Sequence, residues 1–485
     1  MTRSRPGRAA RLFLPSIADL LFVGLLLTKV SPTLFHDGDT GWHLWAGTAT
    51  LEHGLAPIPD TLSFTRQGAP FENVEWLGEV ILVLLYRHAG YLGLGLLAGV
   101  VFAGTFAWLY RILLRESEDP VASLLVTVLT AQVTLLQFLA RPLIFSFPLF
   151  LGAVELARGP GKRALVLLPV LTALWANVHP SATMAPAIAA FFWLRRPGRN
   201  TLGLATLLSF LALGITPWGY GWVLGMVADN RAYFSQVEEW APPRFNEFRL
   251  VPYLFGILLA VAARRGSAAL PASTWLWGLG WLGAALVSAR LGPYAFLAWA
   301  PFFARDLAQG ALIGLVPPLR RVWMGLRDGL SAMELSLHPR LWPVLAGVGA
   351  LLFAGSLAPV YPEAAKGFPE QRFPKAALAE AVRLAPGPRV FCNYGWGGYV
   401  GWEGRDRWRV FIDGRAGFFG PQLLQDYLTT YTASPGWEEV LDRHAPDWLL
   451  VSPDAPIVAA ATRSGRWNLV YEDKTAAMLL PGPRP

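Results

Sequence analysis

Long apolar runs separated by short polar or basic turns occupy residues 1–360, and a mixed pattern takes over after Val360. A membrane-crossing helix needs about 20 mainly apolar residues. The runs that approach this are Ile17–Leu34, Tyr91–Leu114, Val121–Leu139, Leu143–Ala157, Ala164–Val178, Ala182–Leu194, Leu202–Ile215, Leu250–Ala263, Thr274–Ala289, Tyr294–Val316 and Leu341–Val360. Together they predict a polytopic helical membrane region of about eleven spans. Trp76–Tyr86 (WLGEVILVLLY) is apolar but too short to span and carries Glu79, so the pattern places it as an amphipathic helix on the outer interface. In residues 361–485 the period changes. Arg389–Asn393, Trp408–Ile412, Trp448–Ser452, Trp467–Tyr471 and Ala477–Leu480 read as strands. Ala376–Leu384, Gln422–Tyr431 and Trp437–His444 read as helices between them, predicting a small α/β domain with its own core.

Composition sharpens this picture. The chain is 54% hydrophobic and only 15% charged, against about a quarter charged in soluble globular chains, so the bilayer is the expected solvent. The net charge of +8 sits in short clusters rather than on one face, which excludes a nucleic-acid-tracking surface. With the amino terminus inside and spans alternating, inner turns hold Arg3, Arg5, Arg8 and Arg11, then Arg111 and Arg115, Arg158, Lys162 and Arg163, and Arg195, Arg196 and Arg199. Outer turns are poorer in Lys and Arg, as the positive-inside rule requires. Residues 35–90 then form a first outer loop, and the carboxyl-terminal domain lies on the same, extracytoplasmic side of a cytoplasmic (inner) membrane. A single cysteine, Cys392, excludes a disulfide framework and a thiolate metal cluster.

The candidate chemistry concentrates in the first outer loop. His36–His53 (HDGDTGWHLWAGTATLEH) holds Asp37 and Asp39 in an Asp-x-Asp spacing, with Trp42 and His43 behind them. One aspartate is the candidate general base, with a divalent cation (Mg or Mn) as candidate ligand of Asp37 and Asp39 together. The competing reading is that Asp39 merely caps the helix that begins there. Glu75 and Glu79 share a helical face and either line the same cavity or form the solvated side of the interfacial helix. Arg141, His179 and Arg290 sit at outer ends of spans, where an arginine binds a phosphate through its planar fork or snorkels to ordinary headgroups. Glu239, in the VEEWAPP stretch, is a further candidate contact for sugar. Asp413 and Arg415, in FIDGR at a strand end, are candidates as well, set against a structural pairing of the two. The glycines of NYGWGGY permit a tight turn but match no nucleotide-binding motif.

The arrangement DGDTGWHLWAG…PIPDTLSFT…ENVEWLGEV after the first span, with WANVH ending at His179, EEW at Glu238–Trp240 and the late GGY…FIDGR block, resembles the bacterial C-type (GT-C) polytopic glycosyltransferases. The resemblance implies a polyprenyl-phosphate-linked sugar as donor, a glycan, lipid or protein acceptor, and transfer at the outer membrane face for envelope glycan biosynthesis. It matches Asp37 and Asp39 to the acidic motif of the first outer loop. A transporter or lipid flippase, and a non-catalytic protein of envelope glycan assembly, are the rival readings. The first predicts charges inside spans and an internal repeat, and the sequence has few of the former and none of the latter.

Overall fold

The computed structural model describes residues 15–135, 137–195, 200–226, 242, 272–309, 317–334 and 341–482. Helices Ile17–Lys29, Pro120–Leu135, Ser146–Arg158, Gly161–Val178, Met184–Leu194, Asn200–Ala212, Ala272–Val287, Gly292–Ala308 and Leu341–Leu352 fall on the predicted runs. The run Leu250–Ala263 lies outside the described residues. Local signals start these helices where the apolar runs begin. Ser16 and Asp19 form a reciprocal capping box on the first, and the Asp119 carboxylate accepts from the amides of Val121 and Ala122. Large apolar side chains point outward along the helices, among them Val166 and Val170 (both 62% exposed), Leu276 and Leu224. Such faces suit a lipid surround rather than water.

Among the described residues one helix, Trp76–Ser117, is by itself long and apolar enough to cross a membrane. It breaks at Ala89 and Gly90, where Gly90 takes a positive φ of 59° that glycine adopts without strain. Trp76–Ser117 is thus two helical arms of a bent element, and Trp76–Tyr86 lies in an arm of its own, as expected; what differs is its position, since Gly78, Glu79, Leu82 and Val83 are buried instead of lying on the interface. Its Gly78 packs on Pro142 and the carbonyl of Val178. Packing against the outer-loop helix Asp39–His53 supplies the burial that the bilayer surface was expected to give; a Cβ on Gly47 would press into the backbone of Glu79.

The five predicted carboxyl-terminal strands form one sheet. In chain order β1 (Ile58–Pro59) and β2 (Pro70–Phe71) make a small hairpin in the outer loop, and β3 (Arg389–Cys392), β4 (Arg409–Val410), β5 (Trp448–Val451), β6 (Trp467–Glu472) and β7 (Ala477–Pro481) make the sheet. The order is β4-β3-β5-β7-β6, with β3 parallel to β4 and β5, and β7 antiparallel to β5 and β6. Alternate residues serve two cores. Phe391, Phe411, Leu449, Val451 and Leu479 pack with Phe419 and Tyr427 of the helix Ala416–Tyr431, and with Ile457. Val390, Cys392, Val410, Leu450 and Met478 instead belong to the same apolar core as Leu34, Leu44 and Phe102 of the helical region. The expectation of a self-contained core therefore holds for one face of the sheet only.

Two devices weld the outer loop to this sheet. The loop runs beside β4 as an added edge, where the amide of Phe64 donates to Val410 O (3.0 Å) and that of Val410 to Leu62 O (3.0 Å). The glycines of the GWGGY stretch form, with Tyr394–Trp396, a short helix Gly397–Glu403 rather than an open turn. It lies directly on the outer-loop helix, because a Cβ on Gly41 would overlap the carbonyl oxygen of Gly398, and one on Gly398 the carbonyl oxygen of Gly38. Only glycine lets the two backbones approach so closely.

Candidate functional site

The site forms where the outer loop, the helical region and the sheet meet. Asp37 Oδ1 accepts from the amide of Asp39 (3.0 Å), so Asp37, not Asp39, satisfies the start of the loop helix; the formal cap is Gly38. The competing reading, in which Asp39 caps its own helix, does not match this geometry. Asp37 Oδ2 accepts from Arg141 Nη1 at 2.7 Å, and Asp39 Oδ2 stands 3.6 Å from the same nitrogen. Arg141 precedes Pro142 and is extended, as residues before proline are. Its turn is pinned by Thr40 Oγ1 donating to Ala140 O (3.1 Å) and by the amide of Ala140 donating to Leu34 O (2.9 Å). Asp39 also rests on Gly414, where any Cβ would collide with its carboxylate.

Behind the aspartates lies a second cluster. His43 Nδ1 is 2.8 Å from Glu79 Oε1 and 4.0 Å from Glu75 Oε2, and His179 Nε2 is 3.7 Å from Glu75 Oε1. His179 Nδ1 accepts from the Ser181 amide at 3.1 Å, which points Nε2 toward Glu75. Trp42 lies against His43, with ring centroids 3.6 Å apart and the planes tilted by 33°. Burial, reinforced by Arg141, holds the His43 imidazole well below its usual range, and burial with Arg290 and Arg141 does the same for His179. Burial pushes the Glu75 carboxyl up to about 7, against the pull of the Arg290 and Arg141 guanidiniums. Arg290 sits on the turn Ala289–Leu291, held by Gln137 Nε2 donating to Ala289 O at 2.8 Å. Glu79 is fully buried, so the solvated-face alternative fails for it, whereas Glu72 is exposed.

A cavity of about 610 Å³ opens beside Asp37. Its lining mixes polar groups, among them Thr28, Lys29, His36, Gln132 and Arg372, with apolar ones, among them Leu34, Leu135, Phe138 and Leu139. Arg372 is close enough that its charge, after burial, helps lower the His36 imidazole. Lys29 ends the first helix and Arg372 precedes the sheet, so the two cations come from opposite ends of the chain.

Asp413 and Arg415 are placed differently from the other candidates: they pair with each other, the alternative set against a role as substrate contacts. Arg415 Nη2 donates to Asp413 Oδ2 (2.6 Å) and to Asp60 Oδ1 (2.9 Å), and its guanidinium lies 4.6 Å from the Trp45 ring centre and 4.8 Å from that of Phe418. Both carboxylates are fully buried, so this cluster braces the outer loop against the sheet. Asp60 went unremarked in the sequence, although its Pro-Asp-Thr-Leu-Ser context is a turn signal; its carboxylate accepts from the Leu62 and Ser63 amides. Lys29 and Arg372 carried no sequence signal at all. Glu239 lies outside the described residues.

Asp37 and Asp39 converge on a guanidinium, and a dication between them would face that positive charge. Among the described residues, the group of three or more acidic, histidine or cysteine ligand atoms close enough to share an ion is His43, Glu75 and Glu79.

No family model matches the chain, and no curated protein matches it. Among solved structures, it is similar to ArnT from Cupriavidus metallidurans bound to undecaprenyl phosphate, at 12% identity and a TM-score of 0.49, covering 96% of this chain and 99% of that one. The apo state of the same protein gives 14% identity, a TM-score of 0.49 and the same coverage.

Proposed function

We propose that the chain is an inverting membrane glycosyltransferase of the GT-C type, moving a sugar from a polyprenyl-phosphate donor to an acceptor at the outer face of the cytoplasmic membrane. The observation that carries this reading is the cavity beside Asp37, whose lining holds apolar side chains that suit a lipid tail and two cations, Lys29 and Arg372, that suit its phosphate. The outer loop and the sheet pack on each other, so they share one side of any bilayer that the helices cross.

In this reading an acceptor hydroxyl approaches the anomeric carbon from the aspartate side. Its proton passes to the Asp39 carboxylate as the new glycosidic bond forms, and the bond from the anomeric carbon to the phosphate oxygen breaks. The departing polyprenyl phosphate keeps that electron pair, and Lys29 and Arg372 hold its charge. Asp37, held by Arg141, fixes the geometry of the Asp39 backbone. Asp39 is taken as the base because its side chain is the more exposed of the two, 26% against 21% for Asp37. The acceptor class is a glycan, lipid or protein hydroxyl.

Cells lacking the gene, complemented with wild type or Asp39→Asn, provide the test by mass spectrometry of lipid-linked and surface glycans. Loss of a positioned base lowers rates by about 10²–10⁴. The variant at normal membrane levels is therefore expected to accumulate the lipid-linked sugar and lose the product glycan. Wild-type glycans from a well-expressed Asp39→Asn protein would rule out the role given to Asp39.

A further inference from the structure

The cluster behind the aspartates contains two imidazoles and two carboxylates from separate parts of the chain: His43 from the outer-loop helix, Glu75 and Glu79 from the start of the bent helix, and His179 from the end of Gly161–Val178. Their ligand atoms are mutually close. Those of His43, Glu75 and Glu79 all lie within 4.8 Å of one another, and His179 Nε2 is 3.7 Å from Glu75 Oε1. In a tetrahedral zinc site with bonds of about 2.0–2.1 Å, neighbouring ligand atoms stand roughly 3.4 Å apart. The separations of 2.8 Å and 4.0 Å from His43 Nδ1 to the two carboxylates bracket that spacing.

A second observation points into the same space. Glu79 Oε2 is fully buried and accepts no hydrogen bond of ordinary geometry. Its polar neighbour, the Asn73 side-chain amide, also donates to Thr50 Oγ1 at 2.9 Å. A buried carboxylate oxygen left in this way is costly, and a cation is the partner that such a group takes up.

We infer that His43, Glu75, Glu79 and His179 form a binding site for a transition-metal dication, with zinc the preferred ion. Mixed imidazole and carboxylate donors select zinc or manganese over magnesium and calcium, which favour all-oxygen sites of higher coordination. The metal ties the outer-loop helix to the bent helix and to the end of Gly161–Val178, fixing the floor beneath Asp39. Trp42, in tilted contact with His43, limits the turning of the imidazole, and Ser181 orients His179. The site stands on geometry and goes beyond the transferase reading without depending on it.

The test uses the full chain in detergent, stripped with EDTA and dialysed against Zn²⁺, Mn²⁺ or Mg²⁺ alone, with metal content measured by plasma mass spectrometry and stability by thermal unfolding. Wild type is expected to retain one zinc per chain and unfold at higher temperature with zinc than with EDTA, while magnesium has no effect. His43→Ala and Glu79→Gln are expected to lose at least tenfold in zinc affinity, and Asp37→Asn to keep it. Glu75→Gln, which preserves shape, covers the event that either variant fails to fold. Wild type without bound zinc would overturn the assignment, as would zinc that survives these ligand substitutions or departs with Asp37→Asn. Because metal content is read without donor or acceptor, zinc binding without glycan transfer counts against the transferase alone, and transfer without zinc against the metal site alone.

Discussion

Two Asp–Arg clusters lie at the junction of outer loop and sheet, and they have opposite fates. Around Arg415, Asp60 and Asp413 are sealed from solvent under Trp45, Phe71 and Phe418. Around Arg141, the Asp37 and Asp39 side chains remain 21% and 26% exposed, and Asp37 borders the cavity. The residue types are the same, so chemistry by itself does not separate a brace from a reacting centre. Access does. A carboxylate that must take a proton from an incoming hydroxyl needs a face left open, whereas one that fixes a loop works best with every oxygen engaged.

The clusters are also joined. Gly414 lies between Asp413 and Arg415 in sequence, and the Asp39 carboxylate sits on its backbone. The sealed cluster thereby sets the position of the open one. Breaking the comparison at the sealed end has the largest expected effect on folding. Arg415→Met leaves two buried carboxylates without their cation, and removing one partner of a buried pair costs about 3–5 kcal/mol. Low expression and a lowered unfolding midpoint are expected, well beyond any change from Asp39→Asn. Equal stability of the two variants, in the same detergent, would dissolve the distinction drawn between the clusters.

A smaller effect is expected from Gly414→Ala. The added methyl collides with Asp39 rather than with the core, and such crowding costs about 1–3 kcal/mol. Because the neighbour that yields is the proposed base, the loss in kcat is expected to exceed the loss in stability. A Gly414→Ala protein that is destabilised yet fully active would show that the position of Asp39 does not depend on this contact.

Much of this architecture is legible in the sequence, and the parts that are not share a physical cause. The apolar runs and the five strands leave a local period, so Ile17–Lys29 and Trp448–Val451 stand where the pattern places them. Asp37, Asp39, His43, Glu75, Arg141 and His179 can each be nominated singly by residue type and by position at a span end. Their meeting cannot, because the pairing of Asp37 with Arg141 or Glu75 with His179 spans about a hundred residues with no repeat to betray it. The bent helix misleads for a related reason. WLGEVILVLLY has the composition of an interfacial helix, and only tertiary packing buries its Glu79. In GWGGY the glycines signal close backbone approach, but a sequence does not say whether a turn or a second helix uses it.

The open cluster is sharpened last through the cavity wall, where the expected effect is smallest. Lys29 and Arg372 approach the cavity from the end of the first helix and from the segment ahead of the sheet, and both remain partly or fully exposed. Exposed cations contribute little to stability, so Lys29→Gln and Arg372→Gln are expected to leave the unfolding midpoint unchanged. If these cations hold the donor phosphate in the ground state as well as on departure, each substitution raises the KM for lipid-linked sugar by about tenfold, or roughly 1.4 kcal/mol. A hydrogen-bonded phosphate is also screened by salt, so the KM of wild type should rise with ionic strength more steeply than that of either variant. Measuring donor consumption in vesicles at two salt concentrations separates this wall from Arg141. If Lys29→Gln and Arg372→Gln leave KM and its salt dependence untouched, the phosphate rests elsewhere, and the cavity beside Asp37 loses its role as the donor seat.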